Sequence, residues 1–297
     1  MSAVVVFIIF AICLIIAIPI SISLGIVAVL PGAFDASFTA SAGYVIRSMV
    51  GGIDSFPLLA VPMFVLAGIL MAHGKISEKL FDVFVYFLGN KRAGIPCAVI
   101  ITCLFYGAIS GSAPATVAAV GSMTIPLLIE LGYEKDFSTA IVAVAGGLGV
   151  IIPPSIPFIM YAMATGESVS DLFLAGIVPG MMISALLIFY AYYYCRRHGE
   201  DREKIQAKMD QLKTKGFVNI LKESIWALLS PVIVLGCIYS GVASPTEAAV
   251  ISVFYSLFVS LFIYKSIKVK QIWGIMVEAM KTYAPVSYTH LTLPTIA

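Results

Sequence analysis

Apolar positions along this chain come in long blocks rather than in short amphipathic repeats. Windows at about 3–30, 56–73, 95–131, 138–165, 171–195, 225–241 and 246–264 are separated by short polar links. A membrane span takes about 20 apolar residues, so most windows predict one crossing each, whereas 95–131 and 138–165 are too long for a single simple span. The first run, 4–30, has no basic residues ahead of it and exceeds the apolar core of a signal peptide, which predicts a membrane helix that is retained.

The two long windows each contain a break. In the first, Ser110-Gly111-Ser112-Ala113-Pro114-Ala115-Thr116 divides the run into two arms. Hydroxyls and glycine suit backbone that is buried in protein or lines a cavity rather than a lipid-exposed end. Thr116 is expected to cap the returning helix, and Pro114 cannot continue the incoming one. Two full spans and a re-entrant hairpin share the same parity; the composition of the turn favours the hairpin. In the second window, Gly146, Gly147 and Gly149 precede Pro153, Pro154 and Pro157, so an uninterrupted helix is not expected. A span broken near mid-membrane is the economical reading, and a kinked helix without functional meaning is the alternative for this segment taken alone.

Charge sets the expected orientation. The long hydrophilic segment 196–223 carries Arg196, Arg197, Arg202, Lys204, Lys208, Lys213, Lys215 and Lys222 against five acidic residues, and the positive-inside rule places it in the cytoplasm. The links at 166–171 and 240–245 lack Lys and Arg and are expected outside, while Lys265, Lys268 and Lys270 return inside. Counting the other way, Glu134 and Lys135 fall inside, as does the region of Lys75, Lys79, Lys91 and Arg92, so 95–131 enters and leaves from the cytoplasmic side. Between those charges, Ile76, Leu80, Val83, Phe84 and Phe87 form one helical stripe, which predicts an amphipathic helix on the inner surface or an ordinary connector. Residues 271–283 suggest a second such helix. Ser244, Pro245 and Glu247 fit the N-cap, N1 and N3 positions of a capping box.

Composition narrows the function classes. Of 297 residues, 60% are hydrophobic and 11% charged, with mean hydropathy +1.02, far from a soluble domain. The formal net charge of +2 excludes a basic nucleic-acid binder. Cys13, Cys97, Cys103, Cys195 and Cys237 fall in or beside apolar stretches without a ligand-type spacing, and His73, His198 and His290 give no zinc set. Neither broken segment contains Asp or Glu. A carboxylate proton relay is therefore not expected, whereas unwound carbonyls and hydroxyls suit a hard cation such as Na⁺, and half-helix N-termini favour a carboxylate. With no nucleophile triad, nucleotide loop or paired carboxylates, an enzyme is not expected. The expected fold is an all-α integral membrane protein, a multi-span helical bundle with a re-entrant hairpin and a broken transmembrane helix.

Four stretches in order carry a family resemblance: Phe56-Pro57-Leu58-Leu59-Ala60-Val61-Pro62-Met63-Phe64, Ile109 through Gly121, Gly146 through Pro157, and Pro245-Thr246-Glu247-Ala248-Ala249. The chain resembles the large membrane subunit of the tripartite ATP-independent periplasmic (TRAP) transporters, the DctM-like family. The resemblance implies a sodium-driven, elevator-type secondary transporter of small organic acids such as C4-dicarboxylates or sialic acids in the bacterial inner membrane. It also implies two partners, a small four-helix DctQ-like membrane subunit and a periplasmic DctP-like substrate-binding protein, and no cofactor beyond Na⁺ as coupling ion. Carried over residue by residue, Ser110, Gly111, Ser112, Ala113 and Thr116 look like the tip of the first hairpin, and Gly146, Gly147, Gly149, Pro153, Pro154 and Ser155 like the unwound helix facing it. Ser110, Ser112, Gly147 and Gly149 are the candidate Na⁺ ligands, by hydroxyl or carbonyl oxygen. Ala113 stands where many relatives have glycine.

Family members continue into a second inverted repeat, so residues 1–284 are expected to form a truncated DctM-like transport domain. Residues 285–297 resemble an in-frame translation of a sequencing adapter and are expected to be a non-native tail, a genuine short polar tail being the alternative. Two other functions fit the same architecture: a dicarboxylate or anion carrier that needs no binding protein, and a non-transporting membrane scaffold.

Overall fold

Glycine and proline positions decide where the helices of this chain stop. The structure is a computed structural model and describes residues 3–34, 43, 47, 51, 55–214 and 216–292; among them there is no strand. Two compact units are present, Met1–Leu59 with Met280–Ala297, and Ala60–Ala279.

In the smaller unit, the apolar run expected to form one membrane helix is divided into α1 (Ala3–Ile15) and α2 (Ile20–Phe34). Ala17 takes a left-handed backbone conformation, φ 62°, and Ile18 precedes Pro19, a position that disfavours the helical region. The Ser23 hydroxyl donates to the carbonyls of Ile18 and Pro19 at 3.3 and 3.2 Å, binding the break to the start of α2.

The larger unit begins with α3 (Ala60–His73) and α4 (Ile76–Leu88). The predicted amphipathic helix is α4, but its surroundings differ from a surface helix. Ile76, Leu80 and Val83 of the expected stripe are buried, as are Ser77, Phe81 and Val85 away from it, and Phe87 is exposed. The reason is that α4 packs between α5 (Gly94–Ser110) and α11 (Phe217–Tyr239), so more than one of its faces is covered. Helix α5 and α6 (Ala113–Glu130) are the two arms of the predicted hairpin, joined by Gly111 and Ser112 alone. At 1.5 Å per residue, arms of 17 and 18 residues are each about 26 Å long.

The second long window is broken as its glycines and prolines require. Helix α7 (Lys135–Gly146) tightens into a 3₁₀ turn at Gly147–Val150, continues through non-helical backbone, and resumes as α8 (Ile156–Thr165). Then follow the long α9 (Val169–His198), the polar α10 (Arg202–Thr214), α11, α12 (Pro245–Phe258) extended by a π-helical turn at Val259–Ile263, and α13 (Val269–Thr292). Residues 271–283 are thus part of a longer helix, on which Trp273 is exposed and Ile275 and Ala279 are buried; residues 293–297 of the expected tail lie outside the described residues. Both halves of the predicted capping box form at α12, with Ser244 Oγ accepting from the Glu247 amide and the Glu247 carboxylate accepting from the Ser244 amide.

Five segments among the described residues have the length and hydropathy of membrane spans: Phe56–His73, Ala113–Glu130, Val169–His198, Phe217–Tyr239 and Pro245–Ile263. Several are little buried by protein; Leu174, Val178, Met181, Met182, Leu186 and Phe189 of α9 are all exposed. Apolar surface of that extent is stable only against lipid or a protein partner. The fold is that of an all-α integral membrane protein.

The polar links expected on the cytoplasmic side meet one another. Lys79 pairs with Glu223, and the Ser224 hydroxyl donates to the Lys79 carbonyl at 2.9 Å. Arg202 donates to the Asn90 carbonyl at 3.3 Å, Tyr194 to the Glu134 carboxylate at 2.6 Å, and Ser266 to the Gly74 carbonyl at 3.0 Å. The four links at 74–92, 134–135, 194–224 and 265–270 are thereby held together.

Candidate functional site

Glycine at four positions allows the hairpin and the broken helix to interlock. A Cβ at Gly107, one turn before the hairpin tip, would lie 2.5 Å from Gly149 Cα, so backbone meets backbone there. At Gly149 an added Cβ would lie 2.4 Å from Thr116 Oγ1 and 3.0 Å from the Ser112 carbonyl oxygen, and at Gly146 it would lie 2.1 Å from a Val117 methyl. At Gly111, which takes φ 62° as the left-handed stop of α5, it would approach the Pro154 carbonyl oxygen to 2.9 Å. Side chains larger than hydrogen would push the two elements apart.

Hydrogen bonds fix what the glycines bring close. The Ile156 amide, at the start of α8, donates to the Gly111 carbonyl at 3.3 Å. Ser112 is the N-cap of α6: its hydroxyl accepts from the Ala115 amide at 3.5 Å, with Ala113 and Pro114 in the first helical turn. Thr116 is therefore not the cap that the sequence suggested, because the helix starts three residues before it; its hydroxyl donates instead to the Ser112 carbonyl at 2.8 Å. Ser110 Oγ and Thr116 Oγ1 lie 3.1 Å apart, and both side chains are fully buried. Across the break, Ser155 caps α8 by accepting from the Phe158 amide at 3.4 Å, while its own hydroxyl donates to the Val150 carbonyl at 2.6 Å.

These contacts unite most of the residues singled out in the sequence. Ser110, Gly111, Ser112, Thr116, Gly146, Gly149 and Pro154 lie in one contact group, and Ser155 is tied to the same break from its other side. Pro153 is buried beside them, and Ala113 is half-buried at the tip. Gly147 differs: a Cβ there would meet nothing within 4 Å. The donor set is hydroxyl and carbonyl oxygen, with no carboxylate in either segment. Two half-helix N-termini, α6 and α8, begin within this group, which gives partial positive charge as well as oxygen donors.

Sequence reasoning missed several residues that hold the site. Gly107 carries no motif of its own and is recognisable only by its partner. Gly68 of α3 would place a Cβ 2.8 Å from Ser110 Cβ, and the buried Tyr106 hydroxyl donates to the Gly68 carbonyl at 2.7 Å. Gly176 and Gly180 of α9 accommodate the non-helical backbone, a Cβ at Gly176 lying 2.6 Å from the Ile151 carbonyl oxygen and one at Gly180 2.3 Å from an Ile152 methyl. At the opposite end of the hairpin, an aromatic column forms: the Phe137 and Tyr194 rings stack at 3.9 Å and 3°, and Tyr194 stacks on His198 at 4.1 Å. Burial and a hydrogen bond to Glu200 both hold the Tyr133 phenol in its neutral form to well above the usual tyrosine range.

Comparison with known proteins agrees with this architecture. The profile of a family described as the tripartite ATP-independent periplasmic transporter, DctM component, matches residues 7–292. An isethionate TRAP transporter permease protein DctMQ of Oleidesulfovibrio alaskensis is 42% identical over 277 residues, 93% of this chain and 42% of that protein. A C4-dicarboxylate TRAP transporter large permease protein DctM of Rhodobacter capsulatus is 33% identical, covering 97% of this chain and 67% of its own length. A sialic acid TRAP transporter permease protein SiaT of Haemophilus influenzae is 34% identical over 83% of this chain and 39% of that protein. The chain thus spans between about two fifths and two thirds of the length of these curated relatives. From a match over nearly the whole chain, together with the hairpin locked into the broken helix, it follows that this chain belongs to the DctM component family of tripartite ATP-independent periplasmic transporters.

Proposed function

We propose that the protein is the substrate-translocating large subunit of a sodium-coupled TRAP transporter for a small organic acid in the bacterial inner membrane. One observation carries this reading: the Ile156 amide bonded to the Gly111 carbonyl, which joins the hairpin tip to the second half of a broken helix. Discontinuous helices that meet in this way offer half-helix N-termini to an anionic substrate and unwound carbonyls to a cation. The oxygen donors fit a hard monovalent cation. Ser110 and Ser112 by hydroxyl or carbonyl, and Gly147 and Gly149 by carbonyl, would hold Na⁺, with Thr116 fixing the Ser110 hydroxyl. Gly147, where an added Cβ would meet nothing within 4 Å, would be the side from which a carboxylate approaches the α6 and α8 N-termini.

Relatives whose names specify isethionate, C4-dicarboxylate and sialic acid support a small organic acid as the substrate class. A separate or fused small membrane subunit and a periplasmic binding protein would complete the complex, and the name of the O. alaskensis relative, DctMQ, is in keeping with fusion. Alternating access at such a site uses two related halves, so the proposed transport activity belongs to the chain completed by a second repeat.

Uptake of labelled dicarboxylate, sialate and isethionate into proteoliposomes is the test, using the transporter expressed from its whole locus with its binding protein. The expected result is uptake of one of these acids that requires both the binding protein and an inward sodium gradient, and that is lost in Ser112→Ala with Gly149→Ala. Uptake that persists with choline replacing sodium, or without the binding protein, would overturn the proposal.

A further inference from the structure

The hairpin has two ends to hold, and one carboxylate holds both. Glu200 follows α9 in the polar segment, yet its side chain is only 2% exposed. One oxygen, Oε1, accepts from the Ala93 amide at 3.0 Å and from the Tyr133 hydroxyl at 2.7 Å. The other, Oε2, pairs with Arg202 at 3.0 Å, and Arg202 reaches on to the Asn90 carbonyl. Ala93 is the residue from which α5 starts, with φ 57°, and Tyr133 lies just beyond the end of α6. The carboxylate therefore closes the open end of the hairpin between its two arms. Tyr133 also stacks on Phe137 at the start of α7, and Phe137 on Tyr194 of α9, so the same point anchors the first half of the broken helix.

We propose that Glu200 is a positioning residue: by clamping the base of the hairpin it sets the geometry of the Ser110–Ser112–Thr116 tip against Gly149. This rests on the reading of that tip as the binding turn. A buried charge keeps its place only while paired and hydrogen-bonded, and losing one partner strands the others. Each arm is a continuous helix of about 26 Å, with Pro126 inside α6 in its last turns before the base, so an opening at the base acts on the tip as a change in the angle between the arms. Nothing at the tip itself needs to be altered for its oxygen donors to lose their spacing.

Hydrogen–deuterium exchange on the purified chain in lipid nanodiscs tests this, with Glu200→Gln, Glu200→Ala and Tyr133→Phe. Gln keeps an acceptor for Ala93 and Tyr133 but loses the ion pair; Ala strands both donors; Phe keeps the ring stack and removes one hydrogen bond. Without added ions, exchange is expected to rise at 93–100 and 133–137, and about tenfold at 110–116 in Glu200→Ala, with Glu200→Gln and Tyr133→Phe between it and the parent. Peptides from α12 should keep the parent rate. Should Glu200→Ala fail to fold, the other two variants still decide. Base peptides that loosen while 110–116 keeps the parent rate would overturn the proposal, as would an unchanged base.

Sodium chloride against choline chloride then adds a readout that a purely structural role would not move. The sodium concentration giving half-maximal protection of 110–116 should rise in Glu200→Gln and be restored toward the parent value in Glu200→Asp, which keeps the charge; equal sodium half-points in parent and Glu200→Gln would count against the clamp. If the parent shows no sodium effect, the sodium reading of the site fails, while the ion-free exchange still decides the clamp.

Discussion

The amide of Ile156 donates a hydrogen bond to the carbonyl of Gly111, 45 positions earlier in the chain, so the tip of a helical hairpin and the restart of a broken helix share one backbone bond. Both partners are groups that an unbroken helix would have used internally: Gly111 lies past the last turn of α5, and Ile156 opens the first turn of α8. Each break thus satisfies part of the other, which is how irregular backbone survives inside an apolar protein.

Packing at this contact makes neighbouring glycines unequal. Gly149→Ala should lower stability by about 1–3 kcal/mol, because its methyl meets Thr116 and the Ser112 backbone. Gly147→Ala should change it by less than about 0.5 kcal/mol, since its methyl meets nothing. Thermal unfolding in detergent, followed by a thiol-reactive dye at buried Cys103, measures both; equal losses would contradict the interlock.

Hydroxyls of the turn should behave as a linked set. Ser112→Ala removes the cap of α6 and is expected to cost about 1 kcal/mol. Thr116→Val removes the bond to the Ser112 carbonyl and the contact with Ser110, at about 1–2 kcal/mol. Because the two share the Ser112 backbone, the double variant should lose measurably less than the sum. Additive losses in the same unfolding assay would show that they act separately.

A simpler expectation concerns α12. Ser244→Ala removes the bond in which the Ser244 hydroxyl accepts from the Glu247 amide and the hydroxyl's 2.8 Å bond to the Glu247 carboxylate, and leaves the bond from the Ser244 amide to that carboxylate. The expected loss is about 1 kcal/mol, and amide exchange at 245–249 should quicken while the hairpin peptides stay as they were.

Alkaline pH addresses Tyr133. Its phenol is held neutral above the free value of about 10, so the folded state resists ionisation that the unfolded state undergoes. The stabilisation is complete below about pH 10 and declines as pH rises from there toward the raised folded value. The stability advantage of the parent over Tyr133→Phe should therefore be constant from pH 7 to 9 and shrink between about pH 10 and 11.5. A gap that stays constant to pH 11.5 would mean that Tyr133 ionises freely.

How much of this was legible in the sequence differs from element to element. The paired arms and the broken helix were, because the hydroxyl-rich Ser110–Thr116 stretch with Gly111 and Pro114 and a Gly-rich, Pro-rich run leave the backbone few choices, although the shortness of the turn, Gly111 and Ser112 alone, was not. Ser244-Pro245-Thr246-Glu247 was legible for the same local reason. The division of the first window was encoded by Ile18-Pro19 but hidden by unbroken hydrophobicity on both sides. Assigning the cap to Thr116 rather than Ser112 erred by one turn, since either hydroxyl precedes a run of small residues and only the backbone angles decide which comes first. Gly107 and Glu200 were not legible at all. Their roles depend on Gly149, Ala93 and Tyr133, each at least 42 positions away, and in a segment rich in Lys and Arg a buried acid looks like any solvated one.

The clamp at Glu200 also has a place in time. Tyr133, just past the second arm, and Glu200 are 67 residues apart, and synthesis proceeds at about 5–20 residues per second, so the finished hairpin exists for about 3–13 seconds before its fastener has been made. During that interval the arms, the broken helix and α9 enter the membrane with the base still open. Insertion is thus separated from locking, and the last residues to leave the ribosome before α10 are the ones that end the hairpin's freedom.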